Sequence, residues 1–201
     1  MIAFDLDDTL IEFHHVIVDC PRCDGTGWLN DVDHCLACVA GKKRFHSTAT
    51  YRDVTPLPGR VEILDELRVS GHRLAIVTNQ TDIGFGRITP EDIEAKVDLV
   101  QQKFGQVFEW MILMGSPGAP WPWCDQSLVP PRKPHPFGLM QLGRNFPDDP
   151  IVAYVGDAQS DKMAAQLADV NFLDATYFFE HNGWRRFARP NVPPRLTSRV
   201  Q

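Results

Sequence analysis

Three short apolar runs, each leading into a cluster of polar side chains, constrain the fold of this chain more than any other feature of its sequence. They are residues 1–4, which lead into Asp5 and Asp7, residues 74–77, which lead into Thr78, and residues 151–155, which lead into Asp157. Apolar runs of this length are typical of buried strands, and helical periodicity between them indicates a parallel sheet. Because ligands bind outside the carboxyl ends of parallel strands, the sequence predicts an α/β fold whose polar clusters share one reaction site.

The first polar cluster carries three acids within four residues, at Asp5, Asp7 and Asp8. Two carboxylates two residues apart can divide the work of catalysis, since one can attack or hold a metal while the other moves protons. Their mutual repulsion favours a cation between them, and oxygen ligands favour Mg²⁺. The simpler alternative is an acidic turn that is capped by Asp8 or Thr9.

The stretch FDLDDTL, residues 4–10, resembles the first motif of the haloacid dehalogenase (HAD) superfamily, Asp-x-Asp-x-Thr after an apolar strand. Thr78 resembles the second motif, Lys133 the third, and Gly-Asp-x-x-x-Asp at residues 156–161 the fourth. The resemblance implies a Rossmann-like three-layer sandwich around a central parallel sheet. It also implies a Mg²⁺-dependent phosphatase.

The same resemblance implies a role for each matching residue. Asp5 is expected to attack phosphorus and form an aspartyl-phosphate, with Asp7 as general acid and base and Lys133 neutralising charge. Mg²⁺ is expected to bind Asp5, the main-chain carbonyl of Asp7, and Asp157. The remaining expected residues are Thr78, Asn79 and Arg132 for substrate binding, with Thr9 and Asp161 in support.

Two Cys-x-x-Cys pairs interrupt the chain after the first strand, at Cys20, Cys23, Cys35 and Cys38. Four thiolates in two such pairs are the usual ligand set of a structural Zn²⁺ site. The string resembles the DnaJ zinc-finger repeat, fully in the first pair and partly in the second. Disulfides are the alternative, which a cytosolic compartment disfavours. We therefore expect a phosphatase core at residues 1–18 and 46–180, a zinc-binding insertion at 19–45, and a basic tail at 181–201.

The substrate is the least constrained part of the sequence analysis. Residues 78–104 resemble the polynucleotide 3′-phosphatase family, and neither the insertion nor the loop at 115–134 has the size or periodicity of a large cap. Basic residues occur at 42–44 and, without any acid, from Asn182 onward, where the chain is expected to be an extended arm. These features favour a capless enzyme that removes a 3′-terminal phosphate from DNA or RNA, with the nucleic-acid end as its partner.

Two other functions remain open from the sequence. One is a small-molecule HAD phosphatase that acts on a sugar phosphate, histidinol phosphate or a nucleotide. Histidinol-phosphate and heptose-bisphosphate phosphatases resemble the chain, but they carry a Cys/His zinc cluster in the loop where this chain has one Cys and no His. The other is a non-catalytic zinc-dependent module that binds nucleic acid or protein.

Composition sets the outer limits on these hypotheses. A length of 201 residues suits one domain with a small appendage, and the net charge of −6 confines any polyanion binding to a local basic patch. No apolar run reaches the length of a membrane span, so no membrane partner is expected. Because the chain opens on the first strand, we expect no signal peptide and a cytoplasmic location. The oligomeric state is not predicted.

Overall fold

The computed structural model describes residues 1–12, 16–19, 26, 42–45, 51–82, 88–115 and 132–188, and its central element is a five-stranded parallel sheet. The strand order is β5–β4–β1–β6–β7. These strands are β1 (Ile2–Phe4), β4 (Leu74–Asn79), β5 (Phe108–Met114), β6 (Ala153–Gly156) and β7 (Phe172–Asp174). All four pairings are parallel. The predicted α/β class is therefore confirmed.

Helices cover both faces of this sheet and make the molecule three-layered. They are α1 (Arg60–Val69), α2 (Pro90–Lys103), α3 (Phe137–Asn145), α4 (Gln159–Leu167) and α5 (Ala175–Phe179). Side chains from α1, α2 and α5 pack with Ile2 and Phe4 of β1 in one core cluster, whereas α3 and α4 pack with Ala3 in the other. This alternation follows from the pleat of a strand, which points successive side chains to opposite faces.

β1 lies between β4 and β6, and this position brings the predicted motifs together. After β4 and β5 have been added on one side of β1, the chain crosses back and adds β6 and β7 on the other. Such a reversal of strand order opens a crevice at the carboxyl ends of the central strands. The residues that follow β1, β4 and β6 therefore border the same crevice.

Helix α2 begins at a capping box that Thr89 and Asp92 form. Thr89 accepts a hydrogen bond from the backbone N–H of Asp92, and the Asp92 carboxylate accepts one from the backbone N–H of Thr89. Pro90 occupies the first helical position, where its missing N–H costs no intrahelical bond. The helix buries Ile93 and Val100.

The insertion after β1 is described only at its flanks. β2 (Val16–Asp19) and β3 (Lys42–Phe45) form a separate antiparallel pair in which Asp19 lies opposite Lys42. The basic residues 42–44 thus belong to β3. The predicted zinc ligands Cys20, Cys23, Cys35 and Cys38 lie outside the described residues, as does the loop at 116–131. The predicted domain boundaries therefore stay predictions.

The predicted extended arm is wrong for residues 183–188. Residues Gly183–Arg186 form a 3₁₀ helix, and Trp184 is buried in the core cluster beside α5. Phe187 and Ala188 also pack against this core, because their apolar surface outweighs the charge of the neighbouring arginines. Residues 189–201 lie outside the described part of the chain. In the described residues no helix combines the length and apolar character needed to cross a bilayer.

Candidate active site

Asp5, Lys133 and Asp161 form a buried ion-pair cluster at the carboxyl end of β1. Lys133 Nζ lies 2.7 Å from Asp5 Oδ1 and also pairs with Asp161 Oδ1. The Lys133 side chain is 3% exposed and that of Asp161 is fully buried. Each charge is thus removed from water and stabilised by an opposite charge, without which its burial would be strongly unfavourable.

Tyr154 joins this cluster from β6. Its hydroxyl donates to the carbonyl oxygen of Val77 at 2.7 Å and lies 3.0 Å from Lys133 Nζ. Burial raises the pKa of Tyr154, and the nearby carboxylates raise it further, so the phenol stays protonated. Tyr154 therefore ties the ammonium of Lys133 to the backbone of β4.

Burial and charge act on the two partners of the central ion pair in different ways. Burial raises the pKa of Asp5, although Lys133 opposes this shift. Burial would lower the pKa of Lys133, but Asp5 and Asp161 together raise it above its usual value. We assign Lys133 as the ammonium, because two carboxylates surround it. Asp5 is consequently a carboxylate that needs cations nearby to stay ionised.

A divalent metal fits this cluster. Carboxylate oxygens of Asp5, Asp157 and Asp161 lie within 4.8 Å of one another. Asp5 Oδ1 is buried and makes no hydrogen bond to a described residue, although it pairs with Lys133. Burial and the charge of Asp161 raise the pKa of Asp157, although its hydrogen bond with Thr9 opposes this shift. Hard oxygen donors with this spacing suit Mg²⁺.

Local structure explains how the fourth motif reaches the site. Asp157 directly follows β6 and accepts a hydrogen bond from the Thr9 hydroxyl at 2.9 Å. Gly156 lets Asp161 approach the strand, since a Cβ at this position would lie 2.6 Å from Asp161 Oδ2. The backbone N–H of Ala158 also donates to Asp161 at 3.0 Å. Thr9 and Asp161 therefore connect the first and fourth motifs to the ion-pair cluster.

Asp7 points its carboxylate at a different set of partners. Lys96 Nζ of α2 lies 2.9 Å from Asp7 Oδ1, and Gln80 Nε2 lies 2.8 Å from Asp7 Oδ2. The Asp7 carboxylate is not among the three gathered acids. Its predicted roles, a main-chain carbonyl ligand to the metal and a general acid and base, stay predictions.

The three predicted substrate-binding residues occupy different environments. Thr78 is buried in β4, and its hydroxyl lies 3.4 Å from Gln80 Nε2. Asn79 Oδ1 accepts a hydrogen bond from the Lys133 backbone N–H at 2.7 Å, so this side chain holds the third motif in place. Arg132 is exposed. Their contacts with a substrate stay predictions.

Four residues at or near the site are missing from the sequence prediction: Tyr51, Gln80, Lys96 and Tyr154. A signal existed for Lys96, which lies three residues after Ile93 and four before Val100 and so shares their buried face of α2. Gln80 directly follows the strand that carries Thr78. Tyr154 reads as a core residue of an apolar strand, and no local pattern distinguishes it.

Comparisons with known proteins identify phosphatases among the relatives of this chain. It is 29% identical over 155 residues to a phosphoglycolate phosphatase of Pseudomonas putida, a match that covers 75% of this chain and 48% of the relative. It is 30% identical over 119 residues to D-glycero-β-D-manno-heptose-1,7-bisphosphate 7-phosphatase of Pseudomonas aeruginosa, which covers 57% of this chain and 62% of the relative. The chain thus spans about half the length of the phosphoglycolate phosphatase. No family model matches it.

Solved structures show the same fold. A D,D-heptose 1,7-bisphosphate phosphatase from B. bronchiseptica, complexed with magnesium and phosphate, matches with a TM-score of 0.54 and 19% identity over 86% of this chain and 77% of the other. A protein from Mesorhizobium loti described as a HAD-like phosphatase matches with a TM-score of 0.57 and 14% identity over 95% and 88%.

The chain therefore has the α/β fold of these solved structures, one of which is described as a HAD-like phosphatase. In sequence it is similar to phosphoglycolate and heptose-bisphosphate phosphatases. The chain is similar to the heptose-bisphosphate phosphatase although its loop at 115–134 carries one Cys and no His.

Proposed function

We propose that this protein is a Mg²⁺-dependent phosphomonoesterase that acts on a small phosphorylated molecule through an aspartyl-phosphate at Asp5. The observation that carries the proposal is the cluster of Asp5, Lys133, Asp157 and Asp161 at the carboxyl end of the central strand. A carboxylate beside a fixed ammonium and a metal-binding set of acids is suited to attack on a phosphate ester.

The reaction follows in two steps. An oxygen of Asp5 attacks phosphorus, the bond between phosphorus and the leaving oxygen breaks, and the protonated form of Asp7 gives that oxygen its proton and becomes a carboxylate. Asp7 then takes a proton from water, the water oxygen attacks the same phosphorus, and the bond to Asp5 breaks to release phosphate. Lys133 neutralises charge on the phosphoryl oxygens throughout. Mg²⁺ at Asp5 and Asp157 would add further neutralising charge.

The relatives favour a small substrate over a nucleic-acid end. Those matched in sequence are named for phosphoglycolate and for a heptose bisphosphate, both of which are small phosphorylated molecules. The net charge of −6 also works against attraction of a polyanion. Removal of a 3′-phosphate from DNA or RNA, the leading prediction from sequence, rests on the resemblance of residues 78–104, the lack of a large cap and the basic residues, and none of the relatives matched in sequence is named for such a substrate.

Phosphate release from a panel of esters tests this function. The panel contains phosphoglycolate, a sugar bisphosphate, a nucleoside monophosphate, and DNA and RNA oligomers with a 3′-phosphate, each with Mg²⁺. We expect at least one small ester to be hydrolysed with a higher kcat/KM than either oligomer, and with little dependence on salt. Asp5→Asn should lower this activity by roughly 10³-fold or more, whereas Asp148→Asn, at an exposed site, should retain it.

Two results would contradict the proposal in different ways. Full activity in Asp5→Asn would overturn the aspartyl-phosphate mechanism. Preferred hydrolysis of the 3′-phosphorylated oligomers, with a rate that falls steeply as salt rises, would return the substrate to nucleic acid.

We also infer that Cys20, Cys23, Cys35 and Cys38 hold a structural Zn²⁺. The support is the spacing of the two Cys-x-x-Cys pairs and the pairing of Asp19 with Lys42, which brings the ends of the cysteine-bearing segment side by side. Four protein ligands would leave this metal without an open position for substrate. The zinc content of the reduced protein tests the inference.

A further inference from the structure

We propose that Lys96, together with the hydrogen-bonded pair Tyr51 and Gln80, positions the Asp7 carboxylate for proton transfer to the leaving group. The proposal rests on the phosphatase function proposed above and adds positioning residues to it. Its basis is the geometry around Asp7, where each carboxylate oxygen has its own donor.

Lys96 is buried on the core-facing side of α2. Its side chain is 4% exposed, and its Nζ lies 2.9 Å from Asp7 Oδ1 and 4.5 Å from the centre of the Tyr51 ring. Burial of an ammonium is costly unless an opposite charge compensates it, and an apolar residue would pack beside Ile93 and Val100 without that cost. Packing alone therefore does not explain a lysine at this position, whereas the ion pair with Asp7 does.

Tyr51 and Gln80 supply the second donor. The Tyr51 hydroxyl lies 2.8 Å from Gln80 Oε1, and Gln80 Nε2 lies 2.8 Å from Asp7 Oδ2. Burial raises the pKa of Tyr51, and Asp7 and other acids raise it further, so its hydroxyl keeps the proton and donates. With its carbonyl oxygen accepting this bond, the Gln80 amide must turn its NH₂ toward Asp7.

The surroundings of these three side chains make their orientation hard to change. They line a cavity whose other walls are apolar: Leu6, Ile93, Val97, Val100, Met111 and Leu113. Few alternative polar partners exist in such a wall, and electrostatic attraction is stronger where water is scarce. Asp7 is thus held from α2 and from the end of β4, by groups other than the partners of Asp5.

This arrangement pre-organises the general acid. A carboxylate oxygen has two lone pairs, so an oxygen that accepts one hydrogen bond can still exchange a proton with a substrate oxygen. Groups that fix a catalytic side chain lower the cost of reaching the productive geometry. Lys96 and Gln80 contact Asp7 in the structure and need not contact the substrate.

The dependence of the rate on the leaving group tests this role. Phenyl phosphate has a poor leaving group that needs a proton, whereas 2,4-dinitrophenyl phosphate has a good one that does not. Since kcat/KM reports on transfer of the phosphoryl group to Asp5, its ratio for the two esters measures proton donation by Asp7. The ratio is also independent of the amount of folded enzyme.

We expect Lys96→Met to lower the ratio of kcat/KM for phenyl phosphate to that for 2,4-dinitrophenyl phosphate by about tenfold or more, within the roughly 10²–10⁴-fold that acid–base catalysis supplies. Gln80→Leu should change it in the same direction, and Tyr51→Phe more weakly. Lys103→Met, at an exposed position of the same helix, and Tyr177→Phe, at an exposed tyrosine, serve as controls that keep the wild-type ratio. Asp7→Asn gives the largest decrease.

An equal loss on both esters in Lys96→Met and Gln80→Leu would overturn the proposal, because it would show a structural effect with the phosphatase function intact. A wild-type protein that hydrolyses neither ester, nor any substrate of the wider panel, would overturn the function itself and the positioning role with it. A lowered ratio in both variants supports the proposal. The two failures are therefore distinguishable.

Discussion

At the scale of single residues, those that directly follow a strand could be predicted to share a site. Residues that reach the site through contacts between distant parts of the chain could not. Asp5 and Asp157 directly follow β1 and β6, so their meeting follows from strand order once the sheet is parallel. Lys96 meets Asp7 across 89 positions of sequence, and no local pattern encodes that contact. Tyr154 could not be predicted for the same reason, because the groups that its hydroxyl contacts belong to Val77 and Lys133, which are far away in the sequence.

The acid cluster predicts that magnesium stabilises the protein through Asp157. Mg²⁺ at about 100 times its dissociation constant should raise the free energy of unfolding by about 2.7 kcal/mol, a Tm shift of roughly 5–10 °C at this chain length. Asp157→Asn should lose most of this shift, because it removes one of the three gathered carboxylates. Thermal unfolding with and without Mg²⁺ measures it.

Asp148→Asn is the matched control for this experiment, since it removes an exposed acid outside the cluster and should keep the full shift. Equal Mg²⁺ shifts in wild type and Asp157→Asn would show that the metal binds elsewhere.

At the scale of helices and strands, most of the fold could be predicted because local signals and burial agree. The three apolar runs became β1, β4 and β6, and the helix that starts at Pro90 follows its Thr89 cap. The segment after Asn182 failed, because five arginines between 185 and 199 obscured the apolar contribution of Trp184 and Phe187. The average composition of this segment does not identify the few apolar residues that pack against the core.

The cap of α2 gives a prediction about stability. Thr89→Ala removes the side-chain oxygen that accepts from the Asp92 N–H, and should lower the free energy of unfolding by about 1 kcal/mol. Urea unfolding at neutral pH with an unchanged m-value would measure the loss. Thr176→Ala, at an exposed position within α5, should change it less.

Asp92 is expected to stabilise the fold more at neutral pH than at acidic pH. The backbone N–H of Thr89, with smaller help from Arg52, lowers the pKa of Asp92 below its unfolded value. A carboxyl group with a lowered pKa stabilises the fold at pH values above its unfolded pKa, and this stabilisation is lost as the pH falls through its folded pKa.

A Thr89→Ala variant as stable as wild type at neutral pH would show that the cap does not stabilise the helix.

At the scale of the whole molecule, the α/β core and the cysteine-bearing insertion are expected to bind different metals. The core gathers oxygen donors, which suit Mg²⁺, while the insertion supplies thiolates, which suit Zn²⁺. The fold of the core was predictable because it depends on apolar burial. The specificity was not, because similar cores serve many substrates.

The zinc inference predicts one tightly bound Zn²⁺ per chain in the reduced protein. Cys20→Ser and Cys35→Ser should each lower the zinc content measured by metal analysis, because each removes one thiolate from the set of four. Cys124→Ser removes the fifth cysteine of the chain and should leave it unchanged. Reduced wild-type protein without zinc would contradict the inference.

The β2–β3 pair has one more consequence. Since Asp19 and Lys42 are neighbours across the ladder, the segment that carries the four paired cysteines begins and ends at adjacent positions. A short connector between these two residues would therefore replace that segment without changing the path of any strand of the five.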